Sequence, residues 1–310
     1  QLSLLPLLRA LAEETRLRIV CLLREHELAV GELVQTLDMG QSRVSRHLKI
    51  LTDCGLLASR RLGPWVLYRL AETGTAPALI QALEPFLRDQ GGCVEDLQRA
   101  QEIVRERSLA STRFFDGLGQ DWDHLIKDIL GNFNLAHAVA KALDASGPDI
   151  AVALDVGCGP GEMLPALGQG AEHVIGVDSS PTMLELARKR FADQADRFSL
   201  RMGELEHLPV REAEVDLVLA SMVLHHLFDP LAGLQEIFRV LRPGGALLVV
   251  DFLRHDQESM REAHGDRWLG FTPQEMDDWL GRAGFTRTTH TLHPVHNGFQ
   301  LLFHHASKPA

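Results

Sequence analysis

The stretch LDVGCGPGE, residues 154–162, decides the architecture of the larger part of the chain. An apolar strand, AVALDV at 151–156, runs straight into it. Gly157, Gly159 and Gly161 let the backbone turn sharply and approach a ligand closely. A dinucleotide site would want G-x-G-x-x-G, but the sixth place of this loop is Glu162. A carboxylate at that helix start opposes a pyrophosphate resting on the helix N-terminus, so the loop suits a ligand without phosphates.

Further on, HVIGVD, RFSLRM, VDLVLA and ALLVVD repeat the short apolar pattern between helical segments, with FTRTTHTL and FQLLFHH as later strand candidates. This alternation predicts an α/β domain with a Rossmann-like, doubly wound parallel sheet. The second strand ends at Asp178, where a carboxylate can accept both hydroxyls of a ribose. Ser180 and Pro181 then open a helix as N-cap and first-turn residue. MGELEHLPV follows the third strand, SMVLHHL follows the fourth, and VLRPGGALLVVD leads through the fifth.

In this order and spacing the phrases resemble class I S-adenosylmethionine (SAM)-dependent methyltransferases, especially the ubiquinone-biosynthesis-like branch, over residues 112–252 and weakly beyond. The resemblance implies that Asp155, Gly157, Cys158, Gly159 and Gly161 cradle the methionyl part of SAM or S-adenosylhomocysteine (SAH). It implies Asp178, Ser179 and Met183 at the ribose, Gly203, Glu204 and Leu205 at the adenine, and Ser221 and His225 under the sulfur. The family more often has Asp at the place of Glu204. His225, His226, Asp251 and His255 are candidate bases, none forced by spacing; a structural role stands beside each.

The first seventy residues read differently. Leu4, Leu5, Leu8, Leu11 and Ala12 recur at helical spacing, and Leu17, Val20 and Leu23 line a second helix. A short helix with Leu33, Val34 and Leu37 reaches the turn Asp38-Met39-Gly40, and another helix runs from near Gln41 to before Gly55. Val44, Leu48 and Leu51 form its packing side. Ser42, Ser45, Arg46 and Lys49, flanked by Gln41, Arg43 and His47, offer donors and positive charge to DNA. LLASRRLGPWVLYRL then reads as a hairpin around Gly63-Pro64, a wing with Arg60 and Arg61 near its tip. Together with ALAEETRLRIVCLL and SRVSRHLKILTDCGLL, this resembles the ArsR family of bacterial repressors. The resemblance implies a homodimer binding an inverted-repeat DNA operator. Metal-sensing members carry a cysteine pair where this chain has HELAVGELV. The pairs His225-His226 and His304-His305 are sequence neighbours without i, i+4 spacing, so no metal site is expected.

The expected parts are thus 1–75 as winged helix-turn-helix, 76–111 as helical linker or dimerisation segment, and 112–310 as methyltransferase-like domain with 112–148 as cap and leading helices. In the linker, Leu79, Ile80, Leu83, Phe86 and Leu87 serve either a dimer interface or the wing's own core, and Gly91-Gly92 is a candidate hinge. Phe114, Phe115 and Trp122 suit a cap over the cofactor or an ordinary hydrophobic anchor. The net charge of −11 divides into about +2 over residues 1–75 and −13 over the rest, which confines any nucleic-acid surface to the first part. No apolar run approaches the ~20 residues needed to cross a bilayer. No export signal is legible, and the four scattered cysteines read as thiols, so a cytoplasmic location is expected. The reading face and basic wing tip favour a transcription regulator with SAM or SAH as effector; the alternative is a methyltransferase of a small molecule carrying a DNA-binding module. Arsenic methylation would need a cysteine cluster that this chain lacks.

Overall fold

The computed structural model describes residues 4–74, 76–87, 92–118, 122–143 and 150–310. The chain divides into two compact units, Gln1–Leu109 and Ala110–Ala310. Among the described residues no helix is long and apolar enough to cross a membrane.

The first unit runs α1 (Leu4–Leu11), α2 (Glu14–Glu25), β1 (Leu28–Ala29), α3 (Val30–Leu37), α4 (Gln41–Asp53), β2 (Leu57–Leu62), β3 (Trp65–Leu70), α5 (Ala76–Leu87) and the first part of α6 (Cys93–Leu118). Glu13 caps α2, its carboxylate accepting the Arg16 N–H at 2.9 Å. Asp38 turns the chain between α3 and α4 at φ 52°, a left-handed conformation that aspartate tolerates. Val44, Leu48 and Leu51 are buried under α4, each worth roughly 1.5–3 kcal/mol of transfer free energy. The small sheet, in order β1-β3-β2, is antiparallel and carries the wing hairpin.

Two helix faces settle what helical spacing leaves open. In α1 the buried residues are Leu7, Ala10 and Leu11, while Leu4, Leu5 and Leu8 are exposed by 59%, 53% and 44%. Helical spacing alone names a stripe but not its partner. The linker leucines divide as well: Ile80 and Leu87 are buried, whereas Phe86 is exposed. Helix α5 continues through Pro85. Of the expected hinge, Gly91 lies outside the described residues, and Gly92 stands at φ 82° just before α6. The segment 113–118, expected as part of a cap, is the last part of α6.

The second unit holds the rest of α6, α7 (Trp122–Leu130) and α8 (Leu135–Leu143), then alternates strand and helix. These are β4 (Ile150–Val156), α9 (Leu164–Gly170), β5 (Ala171–Asp178), α10 (Pro181–Arg190), β6 (Phe198–Met202), β7 (Val215–Ser221), α11 (Pro230–Val240) and β8 (Leu241–Phe252). α12 (Ser259–Ala263), α13 (Pro273–Ala283), β9 (Thr286–Pro294) and β10 (Gln300–Ser307) complete it. All seven strand candidates pair in one sheet, ordered β6-β5-β4-β7-β8-β10-β9. The first five strands are parallel; β10 runs antiparallel to both β8 and β9, so the sheet is mixed. This is the Rossmann-like class I methyltransferase arrangement. The order reverses at β4, which lies between β5 and β7. A crevice therefore opens beyond the carboxyl end of β4, where ligands of open α/β sheets bind.

Candidate functional site

The glycine loop leaves β4 at this switch point. The N–H groups of Gly157 and Cys158 donate to the Val177 carbonyl at 2.8 and 3.0 Å, folding the loop back over the end of β5. Gly157 has φ 68°, and a Cβ there would fall 2.5 Å from a Val223 methyl carbon, so no other residue fits without displacement. Asp178 fixes the loop from β5: Oδ2 accepts the Gly159 N–H and Oδ1 the Ser180 N–H, both at 2.8 Å. Ser180 caps α10, its hydroxyl accepting the Met183 N–H at 3.1 Å.

Three carboxyl groups gather around the loop. Asp155 is buried, with Oδ2 lacking a hydrogen bond; burial first and Asp178's charge second push its pKa well above the usual carboxylate range. Burial also raises Asp178, with Asp116 adding to it against the backbone N–H groups of Ser180, Gly159 and Ser179 that lower it. Asp116, near the end of α6, accepts the Ser180 hydroxyl at 2.5 Å, and Thr112 one turn earlier bonds the Ser179 hydroxyl at 2.9 Å. Among the expected adenine neighbours, Gly203 donates to the Asp178 carbonyl at 3.1 Å, Glu204 is exposed and Leu205 is buried. Met183, expected beside the ribose, is buried under α10. The expected floor residues come from β7 and the turn after it: Ser221 is half-buried and His225 buried.

Beside the loop, Trp122 lies against Gly159, and Phe115 meets Trp122 at 6.1 Å and the His226 ring edge-on at 4.8 Å. Beneath them, His225 Nδ1 lies 2.7 Å from Asp251 Oδ1, and its Nε2 lies 3.6 Å from Asp266 Oδ1. The N–H groups of Arg267 and Trp268 donate to the His225 carbonyl at 3.0 Å, which brings Asp266 alongside. Burial disfavours charge on His225, but Asp251 and then Asp266 outweigh it and lift the pKa to about 9. His226 moves the other way: burial and the neighbouring His225 charge hold it well below 6.5. At neutral pH the pair is one imidazolium and one neutral imidazole, with ring centroids 4.0 Å apart. His255 is half-buried against Phe252 and Phe299, its pKa lowered by burial.

Asp266, Asp116 and Thr112 carry no sequence signal, because they reach the site from a loop and a helix end. The same reason limits the expectation of no metal site, which considered neighbours along the chain. In the fold, His225, His226 and Asp266 lie together, and so do Asp277, His290 and His304.

In the first unit, Gln41, Ser42, Arg43, Ser45, Arg46 and Lys49 are exposed along α4, Lys49 pairing with Asp53 at 3.0 Å. His47 instead turns toward the domain, 3.6 Å from Glu13, with its side chain only 13% exposed. On the wing, Glu27 holds Arg60 through both carboxylate oxygens, which spends its charge locally, while Arg61 is exposed.

The family described as Bacterial regulatory protein, arsR family, matches residues 13–59, and that described as Methyltransferase domain matches residues 154–249. Over 202 residues the chain is 33% identical to an uncharacterized 37.1 kDa protein in transposon TN4556 of Streptomyces fradiae, covering 62% of this chain and 57% of that protein. Over 169 residues it is 32% identical to the arsenite methyltransferase of Halobacterium salinarum, covering 53% of this chain and 40% of the relative. The chain thus spans about half the length of these curated relatives. Among solved structures, the [4+2]-cyclase SpnF shares the fold with a TM-score of 0.54 at 17% identity, covering 66% of this chain and 96% of the other. The chain joins an ArsR-family helix-turn-helix, residues 13–59, to a class I SAM-dependent methyltransferase domain, residues 154–249.

Proposed function

We propose that the protein is a SAM-dependent methyltransferase of a small organic molecule, with its helix-turn-helix serving as a DNA-binding module. The observation that carries this reading is the company around the switch-point loop. Asp178 and Asp116 brace the loop and its following turn through hydrogen bonds, Asp155 lies buried beneath it with an unpaired oxygen, and the His226 ring stands edge-on to Phe115 beside it. Asp178 would hold the ribose hydroxyls, the 157–161 loop and Asp155 the methionyl part, and Glu204 the adenine. Bound SAM would supply an electrophilic methyl group to an in-line nucleophile. His226 would take the proton that the acceptor loses as its bond to methyl forms. His225, held as imidazolium by Asp251 and Asp266, keeps His226 neutral and fixes the floor. The arsenite-methylating relative is a poor guide to the acceptor: Cys158 is the one cysteine in residues 110–310, and it is buried.

For the DNA module we assign Arg46 to base edges and Lys49 and Arg61 to phosphates. The exposed Leu4, Leu5 and Leu8 of α1 and Phe86 of α5 support a homodimer on an inverted repeat. Residues 1–75, 76–111 and 112–310 remain our functional division. The free thiols support a cytoplasmic location.

A second reading, a regulator with SAM or SAH as effector, is favoured by α6. In the first unit this helix pairs Asp96 with Arg18 at 2.6 Å and Arg107 with Glu32 at 3.1 Å. In the second, the same helix supplies Thr112 and Asp116 to the loop that follows Asp178. Incubation with methyl-labelled SAM and a set of phenol, quinol, carboxylate, amine and thiol acceptors separates the readings. Transfer of label, lowered about 100-fold or more in His226→Ala at unchanged SAH affinity, supports the enzyme. No transfer to any acceptor, together with operator affinity that changes with SAH, replaces it by the sensor.

A further inference from the structure

We propose that Asp277, His290 and His304 form a binding site for one divalent transition-metal cation, at the β10–β9 edge of the sheet, away from the glycine loop's switch point at β4 and independent of the methyl-transfer reading. The site is assembled from three elements. His290 on β9 and His304 on β10 are directly opposed partners in an antiparallel pair, so both side chains stand on one face of the hairpin. Their rings are 5.5 Å apart and within 28° of parallel. Helix α13 supplies Asp277, whose Oδ1 lies 3.0 Å from His304 Nε2. One ligand atom from each residue falls within 4.8 Å of the others.

Tetrahedral coordination with bonds of about 2.1 Å places ligand atoms about 3.4 Å apart. The His304–Asp277 spacing is within a few tenths of an ångström of that figure. The wider spacings close by rotation of Asp277 and His290, both exposed side chains at the open side of the group. His304 is the anchor: it is fully buried, and its Nε2, turned to Asp277, is the nitrogen that would ligate. Two imidazoles and one carboxylate favour Zn²⁺, Co²⁺ or Ni²⁺ over Ca²⁺ and Mg²⁺, which take oxygen ligands, and the exposed side leaves a position for water. The ion would clip α13 to the β9–β10 hairpin.

The test uses the metal-stripped full chain without a histidine tag. Calorimetric titration with Zn²⁺ should show one site, and Co²⁺ should develop visible d–d absorption. At hundredfold excess over Kd, Zn²⁺ should raise Tm by about 5–10 °C. His290→Ala, at an exposed position, should weaken Zn²⁺ at least tenfold and abolish the Tm rise, and Asp277→Asn should act likewise. Absence of a stoichiometric site in the wild type overturns the proposal. So does undiminished affinity in both variants. Loss of binding in Asp266→Asn alone would move the ion to His225, His226 and Asp266, and overturn it equally.

Discussion

His225 makes the stability of the second unit fall with rising pH, over a window set by its surroundings. Burial works against a charge there, but Asp251 at 2.7 Å and Asp266 at 3.6 Å raise the pKa from 6.5 to about 9. The folded chain therefore binds this proton more tightly than the unfolded chain. The resulting stability is fully present below about 6.5 and is lost as pH rises through about 9. At 1.36 kcal/mol per pKa unit the loss is ~3 kcal/mol. His226 has the opposite sign: its depressed pKa costs stability only below 6.5, outside this window. Guanidinium unfolding from pH 6 to 10, followed by the fluorescence of the buried Trp268 and Trp279, should show the decline. NMR of ring-labelled histidine, with His225→Gln for assignment, should show one imidazole titrating near 9. Stability flat across that window, or a His225 resonance titrating below 7, would refute the imidazolium and leave burial alone to hold His226 neutral.

Three further outcomes follow from the geometry. Gly157→Ala places a Cβ 2.5 Å from Val223 at a left-handed position, and should cost ~1–3 kcal/mol and at least tenfold in SAH affinity, read by melting and calorimetry. Asp96→Ala leaves Arg18 without the carboxylate it meets at 2.6 and 2.7 Å, and should destabilise the first unit by roughly 3 kcal/mol in denaturant titration. Arg46→Ala should cost ~1–3 kcal/mol on the specific operator, whereas Lys49→Ala should weaken all sequences alike and flatten the salt dependence in fluorescence anisotropy.

The elements were legible where local chemistry decides them. Glycines after an apolar strand, Ser180-Pro181 at a helix start and Gly55 after α4 specify conformation within a few residues, and the structure holds each as such. What alternation cannot carry is partnership across the chain. Leu4, Leu5 and Leu8 have the spacing of a core stripe but lie on the exposed side of α1. His47 has the spacing of a reading face but turns to Glu13, and Arg60 has the position of a wing contact but is held by Glu27. The antiparallel β9–β10 edge, likewise, is a matter of chain return and not of composition. At the candidate site, the glycines and Asp178 stand in a motif, while Asp266 and Asp116 arrive through tertiary structure. The opposite charge states of His225 and His226, adjacent in sequence, depend on those distant carboxylates.

The proposed reading places a SAM-type nucleoside in the crevice beyond β4, where its ribose would rest on Asp178. Isothermal titration of SAM and SAH into the full chain and into Asp178→Ala, each checked for an unchanged far-UV spectrum, tests it directly. Asp178 would offer two charge-assisted hydrogen bonds to the ribose, each worth ~1.5–3 kcal/mol, so one site is expected in the wild type and at least tenfold weaker binding in the variant. Equal affinity in the two proteins, or no binding of either nucleoside to the wild type, would contradict it.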